Sequence, residues 1–124
     1  MYKTSLKVHI VLCCKYRKQL LSYLGEDTKQ FFFDISKKWD FTIELQETDR
    51  DHIHLLISYN PKVAVSQIIR VLKSEATILL WRRHYDFLRR HFWKKQTFWS
   101  DGYFACSIGE SSEETIRKYI ESQG

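Results

Sequence analysis
The chain has 124 residues, a formal net charge of +5, and 44% hydrophobic and 15% aromatic residues, a composition that suits a single globular domain spanning 1–124. One Pro and 4 Gly exclude a collagen-like or loop-dominated chain, and no apolar run reaches the ~18 residues of a membrane span. With no apolar core and small-residue cleavage site at the N-terminus, the expectation is a cytoplasmic protein whose Cys13, Cys14 and Cys106 are buried, reduced thiols.

In chain order, the β-branched run Lys7–Cys13 predicts a first strand, and Tyr16–Leu21 a basic connection. Gly25 reads as a break, after which Phe32, Ile35 and Trp39 fall at helical spacing in a helix over Glu26–Trp39. Phe41–Thr48 alternates, with Phe41, Ile43 and Leu45 on one side and Thr42, Glu44 and Gln46 on the other, the pattern of a half-buried strand. Asp49-Arg50 is a polar turn, and His52–Tyr59 completes an antiparallel hairpin before Asn60-Pro61. A second helix is expected over Val65 to about Arg83, with Ser66 as its start. The segment 84–97 carries no clear pattern, and Phe98–Ile108 reads as a strand pair or one bent strand around Asp101-Gly102. Ser111-x-x-Glu114 is a capping box opening a last helix to Gln123. The order β-α-β-β-α-β-α predicts an α+β fold, a mainly antiparallel sheet with helices on one face.

Charge is unevenly divided. Residues 1–20 carry five bases and no acid, and residues 60–100 carry nine bases and two acids, while residues 21–59 and 101–124 are net acidic. Basic residues interleaved with Trp81, Tyr85, Phe92, Trp93 and Trp99 suit a phosphate backbone with base-stacking surfaces nearby, though a solvated helix face over an aromatic core has the same composition.

Two local patterns carry chemistry. In Asp51-His52-Ile53-His54-Leu55, strand periodicity sends His52 and His54 out of one face and Ile53, Leu55 and Ile57 out of the other. Both imidazoles are expected on the uncovered side of the sheet, beside Thr42, Glu44 or Gln46, where they can converge on one cation or stand as two polar surface residues. His9, His84 and His91 have no comparable partners in the sequence and read as structural or surface residues. On the last helix, Tyr119 and Gln123 lie one turn apart on one side, with Ile116 and Ile120 as anchors. A phenol there is either a covalent nucleophile or a packing residue.

Asp51-His52-Ile53-His54-Leu55-Leu56 together with Glu113–Gln123 closely resembles the single-tyrosine HUH transposases of the IS200/IS605 insertion-sequence group, HUH denoting His-hydrophobic-His. Lys15-Tyr16-Arg17, Leu72-Lys73-Ser74 and Gly102-Tyr103-Phe104 extend the resemblance along nearly the whole chain. The resemblance implies a ferredoxin-like/HUH fold and cleavage and rejoining of single-stranded DNA with hairpins at the element ends. It implies Tyr119 as the nucleophile that forms a 5′-phosphotyrosine link. His52, His54 and Gln123 then hold a divalent metal, Mg2+ or Mn2+. It further implies a homodimer with active sites shared between subunits, for which Gly109 is a candidate hinge. Lys15, Arg17, Lys73, Arg82, Arg83, Arg89 and Arg90 are the candidate DNA-binding residues. The competing readings are a non-catalytic nucleic-acid-binding module of the same fold, and a metal-dependent nuclease that activates water and forms no adduct.

Overall fold
Val8, Ile10 and Leu12 are almost completely buried, so β1 (Leu6–Cys13) turns one of its faces into the core. A 3-10 turn at Lys15–Arg17 leads to α1 (Leu21–Ser36), β2 (Phe41–Thr48), β3 (His52–Tyr59) and α2 (Val65–Arg83). A one-turn α3 (Tyr85–Leu88), β4 (Phe104–Ile108) and α4 (Glu110–Gln123) complete the chain. This computed structural model describes residues 6–108 and 110–123, without the side chains at 110–115 and 123. The capping box at Ser111–Glu114, the hinge at Gly109 and the side chain of Gln123 therefore lie outside the described residues. Among those described, no helix is long and apolar enough to cross a membrane.

The four strands are antiparallel in the order β2-β3-β1-β4. Helices α1 and α2 cover one face, where Leu24, Phe32, Ile35, Ile68, Leu72 and Leu80 meet Ile10, Leu12, Ile53, Leu55 and Ile57. Burying each such side chain contributes roughly 1.5–3 kcal/mol, which makes this layer the main source of stability. The α+β expectation holds, with one change of layering: α4 crosses to the opposite face, against β2 and β3. Its Ile120 is fully buried.

Several local expectations change. Helix α1 begins at Leu21 and ends at Ser36, so Gly25 is not a break but lies inside it. A Cβ at Gly25 would stand 3.1 Å from Thr48 Oγ1, so the glycine lets α1 approach the end of β2. Helix α2 starts at Val65 behind Ala64, and Ser66 is not its cap. Segment 84–97 tucks Leu88 and Phe92 into the core, and Trp81 Nε1 donates to the Thr97 carbonyl at 2.8 Å. Phe98–Ile108 is a bent connection: Trp99 makes one bridge to Cys14, and regular pairing with β1 resumes only at Phe104. Of the cysteines only Cys14 is buried, its thiol pushed up to about 12 by burial, while Cys106 is exposed.

Strand β2 departs most from its sequence pattern. Ile43 pairs with Ile57, but Leu45 pairs with Leu56, so Glu44 is an extra residue in a β-bulge. Beyond it the alternation inverts. Leu45 and Glu47 join the face of Leu56 and His54, and Gln46 turns to α1, where its amide donates to the Lys29 carbonyl at 2.9 Å.

Candidate active site
His52 and His54 leave the same face of β3, with ring centroids 5.1 Å apart. That face is covered by α4, and His54 is only 4% exposed. The neighbours also differ from expectation: the bulge places Glu47, not Glu44 or Gln46, opposite His54. A third imidazole completes the row. His9 on β1 is buried, and its Nε2 lies 3.0 Å from His54 Nδ1. The sequence gives His9 no partner because the β1–β3 register, which pairs its neighbour Val11 with His54, is not visible in one strand alone.

Each motif histidine has one nitrogen committed and the other turned elsewhere. His52 Nδ1 lies 2.8 Å from Asp51 Oδ1, which leaves Nε2 as the nitrogen available to a ligand. Asp51 is itself fixed, since Arg17 Nε donates to its Oδ2 at 2.8 Å. That hydrogen bond, aided by His52, holds the carboxyl below the usual carboxylate range against the opposing effect of burial. Arg17 reaches it from a turn in which Tyr16 (φ 59°) and Arg17 (φ 53°) both adopt the left-handed region, at a cost of about 1–3 kcal/mol each. On His54 the second nitrogen, Nε2, is buried with no hydrogen-bond partner among the described residues. Burial first, then the nearby His9 and His52, push the His54 imidazole down to about 4, so it is neutral near pH 7. A neutral ring with an orphaned nitrogen is the donor a divalent cation needs, and two imidazoles on one strand face fit such an ion. Among the described residues no three His, Cys, Asp or Glu side chains gather around one point.

Helix α4 brings the phenol. Tyr119 is 52% exposed, and its ring meets His54 edge-on with centroids 5.7 Å apart. Buried Ile120 seats the helix, and Arg117 Nη2 donates to Glu44 Oε1 at 2.6 Å. Glu44 also takes Lys7 Nζ at 3.2 Å, so the bulge residue ties β1, β2 and α4 together. One chain thus assembles His52, His54 and Tyr119 on a single sheet face.

The basic candidates divide. Lys73 is an internal strut, not a free surface cation: its ammonium donates to the carbonyls of Ser100, Asp101 and Gly102 and bends the chain ahead of β4. Burial holds its pKa below the usual lysine range. Arg17 is engaged with Asp51, and Lys15 stands 3.6 Å from Asp101 Oδ1. Arg82, Arg83, Arg89 and Arg90 are exposed near the end of α2 and around α3, with Arg83 3.7 Å from Asp27 and Arg89 3.3 Å from Asp86. Lys15 also lines a basic aromatic cleft together with residues outside the candidates, Tyr16, Phe92, Trp93, Lys94 and Lys95, with Tyr16 75% and Trp93 79% exposed. The cleft begins two residues after Cys13, the register partner of His52.

A family described as "Transposase IS200 like" matches residues 2–123. The ISDra2 transposase TnpA of Deinococcus radiodurans is 29% identical over 123 residues, covering 98% of this chain and 86% of its own. The transposase for insertion sequence element IS200 of Salmonella typhimurium is 28% identical over 120 residues, covering 94% and 76%. In fold, the chain resembles a crystal structure assigned to a transposase of Deinococcus radiodurans R1, with a TM-score of 0.77, 24% identity and coverage of 98% and 93%. It also resembles a REP-associated tyrosine transposase bound to a REP hairpin, with a TM-score of 0.65, 13% identity and coverage of 99% and 67%.

Proposed function
Since this chain belongs to the IS200-like transposases, we propose that it cleaves and rejoins single-stranded DNA at hairpin-bearing insertion-sequence ends through a covalent phosphotyrosine on Tyr119. The observation that carries this reading is the meeting of the Tyr119 ring with His54, 5.7 Å apart, beside His52 on one sheet face. A phenol with half its surface open to solvent can be reached by a DNA strand, and its seat on α4 fixes its approach. The phenol oxygen, once deprotonated, forms a bond to the scissile phosphorus while the bond to the 3′ oxygen breaks. The products are a 5′-phosphotyrosine and a free 3′-OH, and the reverse attack by a 3′-OH rejoins the strand and releases the phenol.

His52, His54 and Gln123 would hold Mg2+ or Mn2+, and the orphaned Nε2 of His54 supports the assignment. When bound, the metal supplies positive charge against a phosphoryl oxygen. The exposed arginines Arg82, Arg83, Arg89 and Arg90, with Lys15, supply phosphate contacts. We also propose a homodimer in which α4 exchanges between its own sheet and the identical seat on a partner subunit, the same contacts serving either position.

One set of variants tests both parts. Tyr119→Phe should abolish the covalent protein–DNA adduct on a denaturing gel with single-stranded DNA and Mn2+, yet still bind the hairpin. An adduct of wild-type yield from Tyr119→Phe overturns the nucleophile, and cleavage without any adduct in the wild type points to a nuclease using water. Mixing Tyr119→Phe with His52→Ala subunits should restore one working site per heterodimer. Background activity from demonstrated heterodimers removes the exchange and leaves each site within its own chain.

A further inference from the structure
The hydrogen bond between His9 and His54 leaves a question that the metal assignment alone does not answer: which nitrogen of His54 carries the proton. The two rings are 11° from parallel with centroids 5.3 Å apart, while His9 Nε2 and His54 Nδ1 stand 3.0 Å apart. Face stacking at van der Waals separation would hold ring atoms about 3.5 Å or more apart. The rings therefore lie edge to edge, close to one plane, the arrangement that an N–H···N bond requires. One proton is shared between these nitrogens. If His9 donates, His54 Nδ1 is the acceptor and the neutral His54 ring carries its hydrogen on Nε2. That hydrogen would be buried with no acceptor among the described residues, and orphaned buried N–H groups are rarer than under-satisfied acceptors. It would also block the nitrogen that a cation needs. If His54 donates, Nε2 keeps its lone pair.

We propose that His9 is a positioning residue that accepts the Nδ1–H of His54 and so fixes the tautomer with the Nε2 lone pair free for a divalent cation. The proposal rests on the reading of His54 as a metal ligand. His9 does for His54 what Asp51, clamped by Arg17, does for His52: each ring's far nitrogen is held so that the near one is available. The two holds come from different places in the chain. Asp51 is the residue before His52, whereas His9 arrives across the sheet from β1, so β1 takes part in shaping the site through a residue outside the His-x-His motif. His9 is buried, which keeps water from competing for the bond.

The test has two readouts, neither of them activity. In the metal-free wild-type protein, long-range proton–nitrogen correlation spectra should show His54 as the Nδ1–H tautomer. The Nε2–H tautomer there overturns the proposal. In His9→Leu, which has no acceptor, His54 should shift toward the Nε2–H form, and its Mn2+ dissociation constant, read from the resonance of unbound Mn2+, should rise about 10–100-fold. His9→Gln offers a carbonyl oxygen to the same N–H and should stay within ~3-fold of wild type, well inside that loss. A folded His9→Leu variant with wild-type Mn2+ affinity overturns the proposal. Should His9→Leu not fold, the wild-type tautomer and His9→Gln decide the matter. A wild-type protein that shows the Nδ1–H tautomer but binds no Mn2+ refutes the metal reading while supporting the hold of His9 on His54.

Discussion
Lowering the pH of the metal-free protein should destabilise its fold through His54. This ring is 4% exposed and is pushed from 6.5 down to about 4, chiefly because burial strips its water and then because His9 and His52 stand close. In the unfolded chain the same ring takes up a proton below pH ~6.5, while in the folded one it stays neutral until near pH 4. The folded pKa is depressed, so the unfolded state binds more protons between these values. The stabilisation is complete above pH ~6.5 and is lost as pH falls toward 4. At about 1.4 kcal/mol per unit, the gap amounts to roughly 3 kcal/mol. That is a large fraction of the ~5–15 kcal/mol that holds a domain together. His9 is shifted downward by burial as well and acts in the same direction. The assay is urea unfolding of wild type and His54→Leu from about pH 7.5 to about pH 4. Wild type should lose roughly 3 kcal/mol more than the variant across the window. Parallel curves would refute a neutral, buried His54.

Two further outcomes are expected. Arg117→Ala removes the 2.6 Å contact to Glu44, so hydrogen exchange across α4 should quicken while global stability falls by only about 1 kcal/mol; unchanged α4 protection would mean that this contact does not hold the helix. Affinity for single-stranded DNA should fall steeply with salt, by a logarithmic slope of about 0.7 per phosphate contact, and charge reversal at Arg82, Arg83, Arg89 and Arg90 should flatten that slope for unrelated sequences alike. A salt-independent affinity would count against phosphate binding at these arginines.

What the sequence made legible was local. His52 and His54 share a face because a strand repeats every two residues, and Tyr119 lies one turn along from Ile116 because a helix repeats every 3.6, so both halves of the site followed from periodicity. What it concealed depends on contacts between segments. Gly25 resembles a helix breaker until Thr48 is found 3.1 Å from where its Cβ would be. Lys73 resembles a surface cation until three carbonyls from a segment nearly thirty residues away are found around it. His9 resembles any histidine in a strand until the β1–β3 register brings it to His54. In each case the side chain's role is set by a partner distant in sequence, and no window along one segment contains that information.

The bulge at Glu44 shows how much rests on one such hidden feature. With unbroken alternation, Leu45 and Glu47 would face the helices α1 and α2, and Gln46 would stand with the histidines. One extra residue reverses all three. Leu45 moves to the histidine face, which makes that face apolar enough for a helix to cover it. Gln46 moves inward and its amide finds the Lys29 carbonyl on α1. Glu47 comes opposite His54. The bulged Glu44 is left free of the ladder, and its carboxylate reaches both Lys7 of β1 and Arg117 of α4. The same insertion that spoils the period of β2 therefore builds the seat for α4 and supplies its polar anchor. Tyr119 meets His54 because α4 is held there, so the position of the phenol depends on a backbone irregularity in a strand that contributes neither histidine nor tyrosine.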